Sequence, residues 1–256
     1  MDKPLLSVVI PTARYSPYLV RFLLYLRRVC KENDVEVVIV STSDNPANKL
    51  YETICKLITN CILLVLERKP GQDLRAKQKN IGVSFSNAEY VYILDDDAFV
   101  TCGFLKTLKE TLIEGFDAVL HAVIPRPVSI WARVRALEKI ISSYNINQSS
   151  CRVIRKNLFM KLGGYKENLV IGEDLDFQDR LLKIKPRIAV IPVRDGFEIH
   201  LGEHRSLSSY VRRAYYYGKH LTKLSSTVKK LRLFYAYVAL PASLPYILRI
   251  FRLYVI

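Results

Sequence analysis

Short apolar runs alternate along the chain with longer segments of helical period. Residues 5–10, 35–40, 61–66, 90–94 and 118–123 are of strand length, rich in β-branched and aromatic side chains, and nearly continuous in hydrophobicity. That pattern belongs to strands of a parallel sheet covered on both faces, where neither side of the strand meets water. Between them, residues 18–29, 48–58, 74–84 and 101–113 read as helices, with Thr101 as an N-cap and Pro46 near the start of the second. The repeated β-α-β order predicts an α/β fold built on an open, mostly parallel, doubly wound sheet. A ligand would then sit at the carboxyl ends of the strands.

Beyond residue 124 the pattern changes. Pro125–Arg126–Pro127 interrupts it, and residues 129–144 read as a helix carrying the only tryptophan, Trp131. Residues 151–204 mix short strands, a Gly163–Gly164 turn and a helix starting near Glu173, and 206–224 read as a basic, tyrosine-rich helix. Residues 233–248 are free of charge but contain Pro241 and Pro245. Spanning a bilayer takes about 20 apolar residues, so this run falls short unless Arg249 and Arg252 snorkel to the interface. It reads as a membrane-associating segment, interfacial, re-entrant or kinked, with a buried core helix as the alternative. The expected division is a main domain over 1–225, in halves 1–124 and 125–225, and a basic, apolar helical tail over 226–256. No signal peptide is expected, because Pro11 cuts short the first apolar run.

Composition excludes a disordered chain: of 256 residues, 50% are hydrophobic and 25% charged, enough for a substantial core. A formal charge of +15 points to an anionic partner, whether nucleic acid, lipid or polyphosphate. The position of the charge narrows the choice. No acidic residue follows Glu203, whereas ten of the 39 basic residues do, so the first 203 residues carry only +5. The tail has no RNA-recognition signature or zinc-finger spacing and its basic residues flank an apolar run. An anionic membrane surface, at the cytoplasmic face, is therefore the expected partner, and nucleic acid is not. Five scattered cysteines without a Cys-x-x-Cys pair suggest reduced thiols rather than a disulfide framework or zinc.

Two carboxylate clusters carry the candidate chemistry. Asp95–Asp96–Asp97 directly follows the fourth predicted strand. Three adjacent carboxylates repel one another unless a cation or donors compensate, and Mg²⁺ or Mn²⁺ commonly bridges such groups to substrate phosphates. A solvated acidic turn is the bland alternative, but placement at the ligand edge of a parallel sheet favours the metal. The second cluster, Glu173, Asp174 and Asp176, falls at a helix start after Gly163–Gly164. There the helix dipole favours negative charge in any case. Beside a pocket, one of these carboxylates could take a proton from an acceptor hydroxyl.

Ser7–Val–Val–Ile–Pro–Thr12, Asn80–Ile–Gly82, Tyr90–Val–Tyr–Ile–Leu–Asp–Asp–Asp97, Gly163–Gly–Tyr165 and Gly172–Glu–Asp–Leu–Asp176 occur in that order. Together they resemble the family 2 glycosyltransferases, inverting nucleotide-sugar enzymes of GT-A fold, over about residues 5–220. By that resemblance Pro11 and Thr12 border the nucleotide base, and Asp95–Asp97 is the DxD-type motif. Asp97 is then the direct metal ligand, with Asp95 or Asp96 towards the ribose and diphosphate. Asp174 becomes the catalytic base, Glu173 positions acceptor or sugar, and Lys79 neutralises diphosphate. Family members commonly show Asp-Asp-Gly-Ser after the second strand. This chain reads Ser41–Thr–Ser–Asp44, with Asp44 displaced, which leaves UDP or GDP open. His200 and His204, spaced by four, do not by themselves make a zinc site. The resemblance instead brings one of them to the metal or diphosphate, with His204 favoured by its position before Arg205–Ser206, and Arg212 and Arg213 to a diphosphate or lipid phosphate. His121 reads as a core or edge residue.

The expected activity is an inverting, metal-dependent transfer of a sugar from a UDP- or GDP-linked donor to a glycan or lipid-linked acceptor hydroxyl. Two alternatives stand beside it: a nucleotidyltransferase, which shares Asp-rich metal sites on an α/β sheet, and a catalytically silent membrane-bound scaffold.

Overall fold

The computed structural model describes residues 3–29, 35–129 and 149–202, together with 132, 133, 136, 137, 139, 140, 145, 146, 206, 208, 212 and 215. Strands β1 (Leu6–Pro11), β2 (Val35–Thr42), β3 (Cys61–Leu66), β4 (Tyr90–Ile93), β6 (Ala118–Leu120), β8 (Val153–Arg155) and β9 (Ile188–Val190) form a seven-stranded sheet of order β3-β2-β1-β4-β8-β6-β9. Only β8 runs against its neighbours, β4 and β6. A smaller sheet of order β5-β10-β7 joins Ala98–Phe99 (β5), Val123–Pro125 (β7) and Glu198–His200 (β10). The expected open, mostly parallel sheet is therefore the sheet that forms.

Its two faces are covered by different helices. Leu6, Val8 and Ile10 of β1 pack with Leu19, Phe22 and Leu23 of α1 (Pro17–Val29), Tyr51 of α2 (Asn48–Cys55) and Phe104, Leu105 and Leu108 of α4 (Cys102–Ile113). On the other face, Val9 of β1 joins Val83 of α3 (Arg75–Phe85), Phe159 of α5 (Lys156–Lys161) and Phe177 and Leu181 of α6 (Glu173–Lys183). Successive strand residues point to opposite faces, so both sets must be apolar. Each fully buried Leu, Val, Ile or Phe contributes about 1.5–3 kcal/mol. Thr101 caps α4 as expected, accepting from the Phe104 backbone N–H at 3.1 Å.

Two expectations need correction. The run 118–123 is not one strand: β6 ends at Leu120 and β7 begins at Val123 in the other sheet. The side chain of His121, at the change-over, lies 3.2 Å from the Tyr92 hydroxyl and 3.4 Å from Glu198, so the chain bends to meet a buried polar group. Hydrophobic periodicity reports burial, and burial continues across the change of sheet. The cysteines are not all reduced. Cys55, closing α2, is bonded to Cys61, opening β3, with Cα atoms 5.1 Å apart, and Cys102 is also disulfide-bonded. A tight helix-to-strand turn brings Cys55 and Cys61 together at a spacing that resembles no metal motif. Cys151 is free and buried, and burial pushes its thiol up to about 12.

The described residues among 132–140 are helical, in line with the helix expected at 129–144, whereas Trp131 lies outside them. His204, Arg213 and the whole of 216–256, including the apolar run 233–248, also lie outside the described residues. Among the described residues no helix is long and apolar enough to cross a membrane.

Helix α3 approaches the sheet closely because Gly82 has no side chain. A Cβ there would stand 2.3 Å from Val9 Cγ1 and 3.0 Å from Val40 Cγ2. Gly82→Ala is expected to lower stability by about 1–3 kcal/mol, the usual cost of overpacking, in a urea-unfolding measurement.

Candidate active site

Along the sheet the chain runs outward from β1 to β3 and then returns to β4 on the other side of β1. The carboxyl ends of β1 and β4 therefore flank the point where strand order reverses, the usual ligand crevice of such sheets. Pro11 ends β1 and Asp95–Asp97 follows β4. The buried Gln78 of α3 ties this edge together, its amide donating to the carbonyls of Thr12 at 2.7 Å and Val40 at 2.8 Å.

Each aspartate of the triplet meets a different environment. Thr12 Oγ1 donates to Asp96 Oδ2 at 2.7 Å. Burial, reinforced by the charges of Asp97 and Asp95, outweighs that bond and pushes the Asp96 carboxyl up to about 6. Asp95 behaves oppositely. Burial would raise it, but the Arg152 guanidinium, donating to Asp95 Oδ2 at 2.9 Å, prevails together with Lys79 and His200 and holds the carboxyl well below its usual range. Asp97 Oδ1 lies 3.1 Å from His200 Nε2. The Asp97 backbone carbonyl accepts from the Leu201 N–H at 2.7 Å.

The second cluster is held against the first by α3. Asn80 makes a two-way bond with the Tyr165 backbone, donating to its carbonyl and accepting from its N–H, each at 2.8 Å. This docks the Gly163–Gly164 turn, where a Cβ on Gly164 (φ +62) would stand 2.6 Å from Asn80 Oδ1. Gly172 then caps α6 in the left-handed region, at φ 76, which glycine adopts without strain. Glu173 pairs with Lys79 at 3.0 Å, both largely buried. Burial would weaken the Lys79 charge, but Glu173, Asp95 and Asp174 keep its pKa above the ordinary lysine value. Asp174 accepts from the Ser150 hydroxyl at 3.1 Å and from the Leu175 N–H at 2.9 Å. Asp176 plays a different part, bridging Lys166 and Arg180 at 2.9 Å each, while Arg180 also binds the carbonyls of Leu162 and Gly164.

Thr12, Lys79, Asp95–Asp97, Glu173, Asp174 and His200 thus converge. Asp44 stands apart, paired with Arg68, whose Nε donates to it at 3.0 Å. Arg212 is exposed, outside this network among the described residues. Sequence reasoning missed Arg152, Glu198, Gln78 and Ser150. The available signal was a single charge inside an apolar strand context, Arg152 before Val153–Ile154 and Glu198 between Phe197 and Ile199.

Among the described residues no three His, Cys, Asp or Glu side chains are gathered as a ready metal cage. The donor set still suits Mg²⁺ or Mn²⁺, which is commonly held by one or two carboxylates with substrate phosphates completing the shell. Asp97 and His200, 3.1 Å apart, are the residues that could hold it.

A family model described as glycosyl transferase family 2 matches residues 7–166, and one described as glycosyltransferase-like family 2 matches residues 128–256. No curated protein matches the chain significantly. Among solved structures, S. aureus TarS is similar, with a TM-score of 0.60 at 17% identity over 91% of this chain and 43% of that one. The chain thus spans less than half the length of that TarS. TarS 1–349 in complex with UDP-GlcNAc gives 0.60 at 18%, over 91% of this chain and 73% of that one. The mannosyltransferase PcManGT from Pyrobaculum calidifontis, in complex with GDP-Man and Mn²⁺, gives 0.60 at 20%, over 95% and 73%. At these identities the likeness establishes a shared fold.

The chain after β10 passes so close to Asp97 that a Cβ on Gly202 would stand 2.0 Å from Asp97 Oδ2. Gly202→Ala must move that carboxylate. It is expected to weaken Mn²⁺ binding about tenfold or more in an electron paramagnetic resonance titration with UDP or GDP present. Gly103→Ala, where the added Cβ would meet Thr101 Oγ1 at an ordinary 3.9 Å, is expected to leave it unchanged.

Proposed function

The chain belongs to glycosyl transferase family 2, and from that premise we propose that it transfers a sugar, with inversion, from a nucleoside-diphosphate donor to an acceptor hydroxyl. The observation that carries this is that each carboxylate cluster at the strand ends holds a cation, Arg152 on Asp95 at 2.9 Å and Lys79 on Glu173 at 3.0 Å. A donor seated at the strand ends would then lie between an anion-binding side and a base.

The step balances as a single displacement. Asp174 takes the proton of the acceptor hydroxyl while its oxygen bonds to the anomeric carbon, and the bond from that carbon to the diphosphate oxygen breaks on the opposite face. The Ser150 hydroxyl and the Leu175 N–H orient the Asp174 carboxylate for this. Lys79, held by Glu173, faces the charge that develops on the leaving diphosphate. A divalent cation, when held by Asp97 and His200, would supply further positive charge to that leaving group.

The likeness to proteins solved with UDP-GlcNAc and GDP-Man supports a UDP- or GDP-linked donor. In this reading Pro11 and Thr12, where β1 ends, border the nucleotide base, and Asp44 is engaged by Arg68 instead. The acid-free basic tail flanking an apolar run supports a lipid-linked acceptor at an anionic membrane surface.

A panel of nucleotide sugars with Mn²⁺ or Mg²⁺, scored for transfer with and without membrane lipid, tests the activity. Asp174→Asn is expected to lower turnover by about 10²–10⁴-fold, the usual contribution of a general base, with donor affinity unchanged by calorimetry. Turnover retained in that variant would remove Asp174 from the role.

A further inference from the structure

Asp95 is held by an arrangement that extends well behind the site. Arg152 lies directly before β8, and its backbone carbonyl accepts from the Ile93 N–H of β4 at 2.9 Å, which fixes its position two residues from the triplet. Its Nη1 donates at 2.9 Å to Asp95 and at 2.9 Å to Glu198 Oε1. Glu198 is completely buried, and its other oxygen accepts from the Tyr92 hydroxyl at 2.8 Å and faces His121 Nε2 at 3.4 Å. Burial would raise the Glu198 pKa, but Arg152 and then His121 lower it, so the carboxylate stays ionised. Stability alone does not account for such a group. Apolar residues of similar volume commonly serve a core as well as a buried ion pair or better. What this pair adds is a guanidinium whose direction is fixed, with Asp95 at its far end.

The strand that provides Glu198 also provides His200, and residues two apart on a strand share a face. One short strand, β10, thereby acts on both ends of the aspartate triplet, on Asp95 through Arg152 and on Asp97 directly.

We propose that Arg152 is a positioning residue for donor binding, that buried Glu198 is its anchor, and that the pair holds Asp95 turned to the donor side of the cluster. This rests on the glycosyltransferase reading above. Arg152 offsets the charge of Asp95 so that an anionic diphosphate can approach, and Glu198 works only through Arg152.

The test measures UDP and GDP affinity with Mn²⁺ by calorimetry, and donor KM and kcat by transfer assay, for Arg152→Met, Arg152→Lys, Glu198→Gln and the double variant Arg152→Met with Glu198→Gln. Arg152→Met is expected to weaken nucleotide binding and raise donor KM about tenfold or more, the usual effect of removing an outer-shell partner. Arg152→Lys should recover most of that loss, and kcat should change far less than KM. The double variant should be no worse than Arg152→Met alone, because the anchor has nothing left to hold. Circular dichroism establishes that each variant is folded. Should Arg152→Met fail to fold, Arg152→Lys and Glu198→Gln carry the test, with Glu198→Gln the weaker binder. Nucleotide affinities unchanged in the folded variants, or independent losses that multiply in the double variant, would overturn the positioning role alone. Wild-type protein that binds neither UDP nor GDP would overturn the glycosyltransferase reading and this inference with it.

Discussion

Electrostatic repulsion among Asp95, Asp96 and Asp97 is the constraint around which this molecule is arranged. Three carboxylates at the end of a buried strand cannot all stay ionised without compensation. The fold answers with a separate partner for each: a guanidinium for Asp95, a threonine hydroxyl for Asp96, a histidine for Asp97. Those partners come from the residue after β1, from the segment entering β8 and from β10, so the triplet draws together parts of the chain far apart in sequence.

The same constraint explains why a second, three-stranded sheet exists. Leaving the main sheet at His121 and returning along β10 brings Glu198, His200 and Gly202 under the triplet. The close approach of Gly202 to Asp97, and of Gly82 to β1, shows how little space the arrangement leaves. Helix α3 then links the halves, with Gln78 on the strand ends, Lys79 on Glu173 and Asn80 on the Tyr165 backbone. Three consecutive residues of one helix thus set the spacing between the two carboxylate clusters.

Charge divides the chain in a corresponding way. Within the first 203 residues charges meet in pairs such as Arg152–Asp95, Lys79–Glu173 and Arg180–Asp176, and the excess is only +5. The ten basic residues that follow have no acidic residue after Glu203 to meet. That one-signed stretch of sequence is the ground on which an anionic acceptor surface is proposed.

The sequence by itself determined the main sheet, its helices and both carboxylate clusters. Apolar runs buried on two faces, the Thr101 cap and the glycines at 163, 164 and 172 are local signals, legible without knowing what packs where. The ordered motifs were enough to place the chain in its family. Only the tertiary structure decided which of those carboxylates acts with which cation. Arg152 and Glu198 are separated by 46 residues and gain meaning only when β10 is laid beside β5. The change of sheet at His121 and the Cys55–Cys61 bond were hidden for the same reason: hydrophobic patterning records that a residue is buried, and a buried polar or sulfur atom takes its role from the neighbour that folding brings to it.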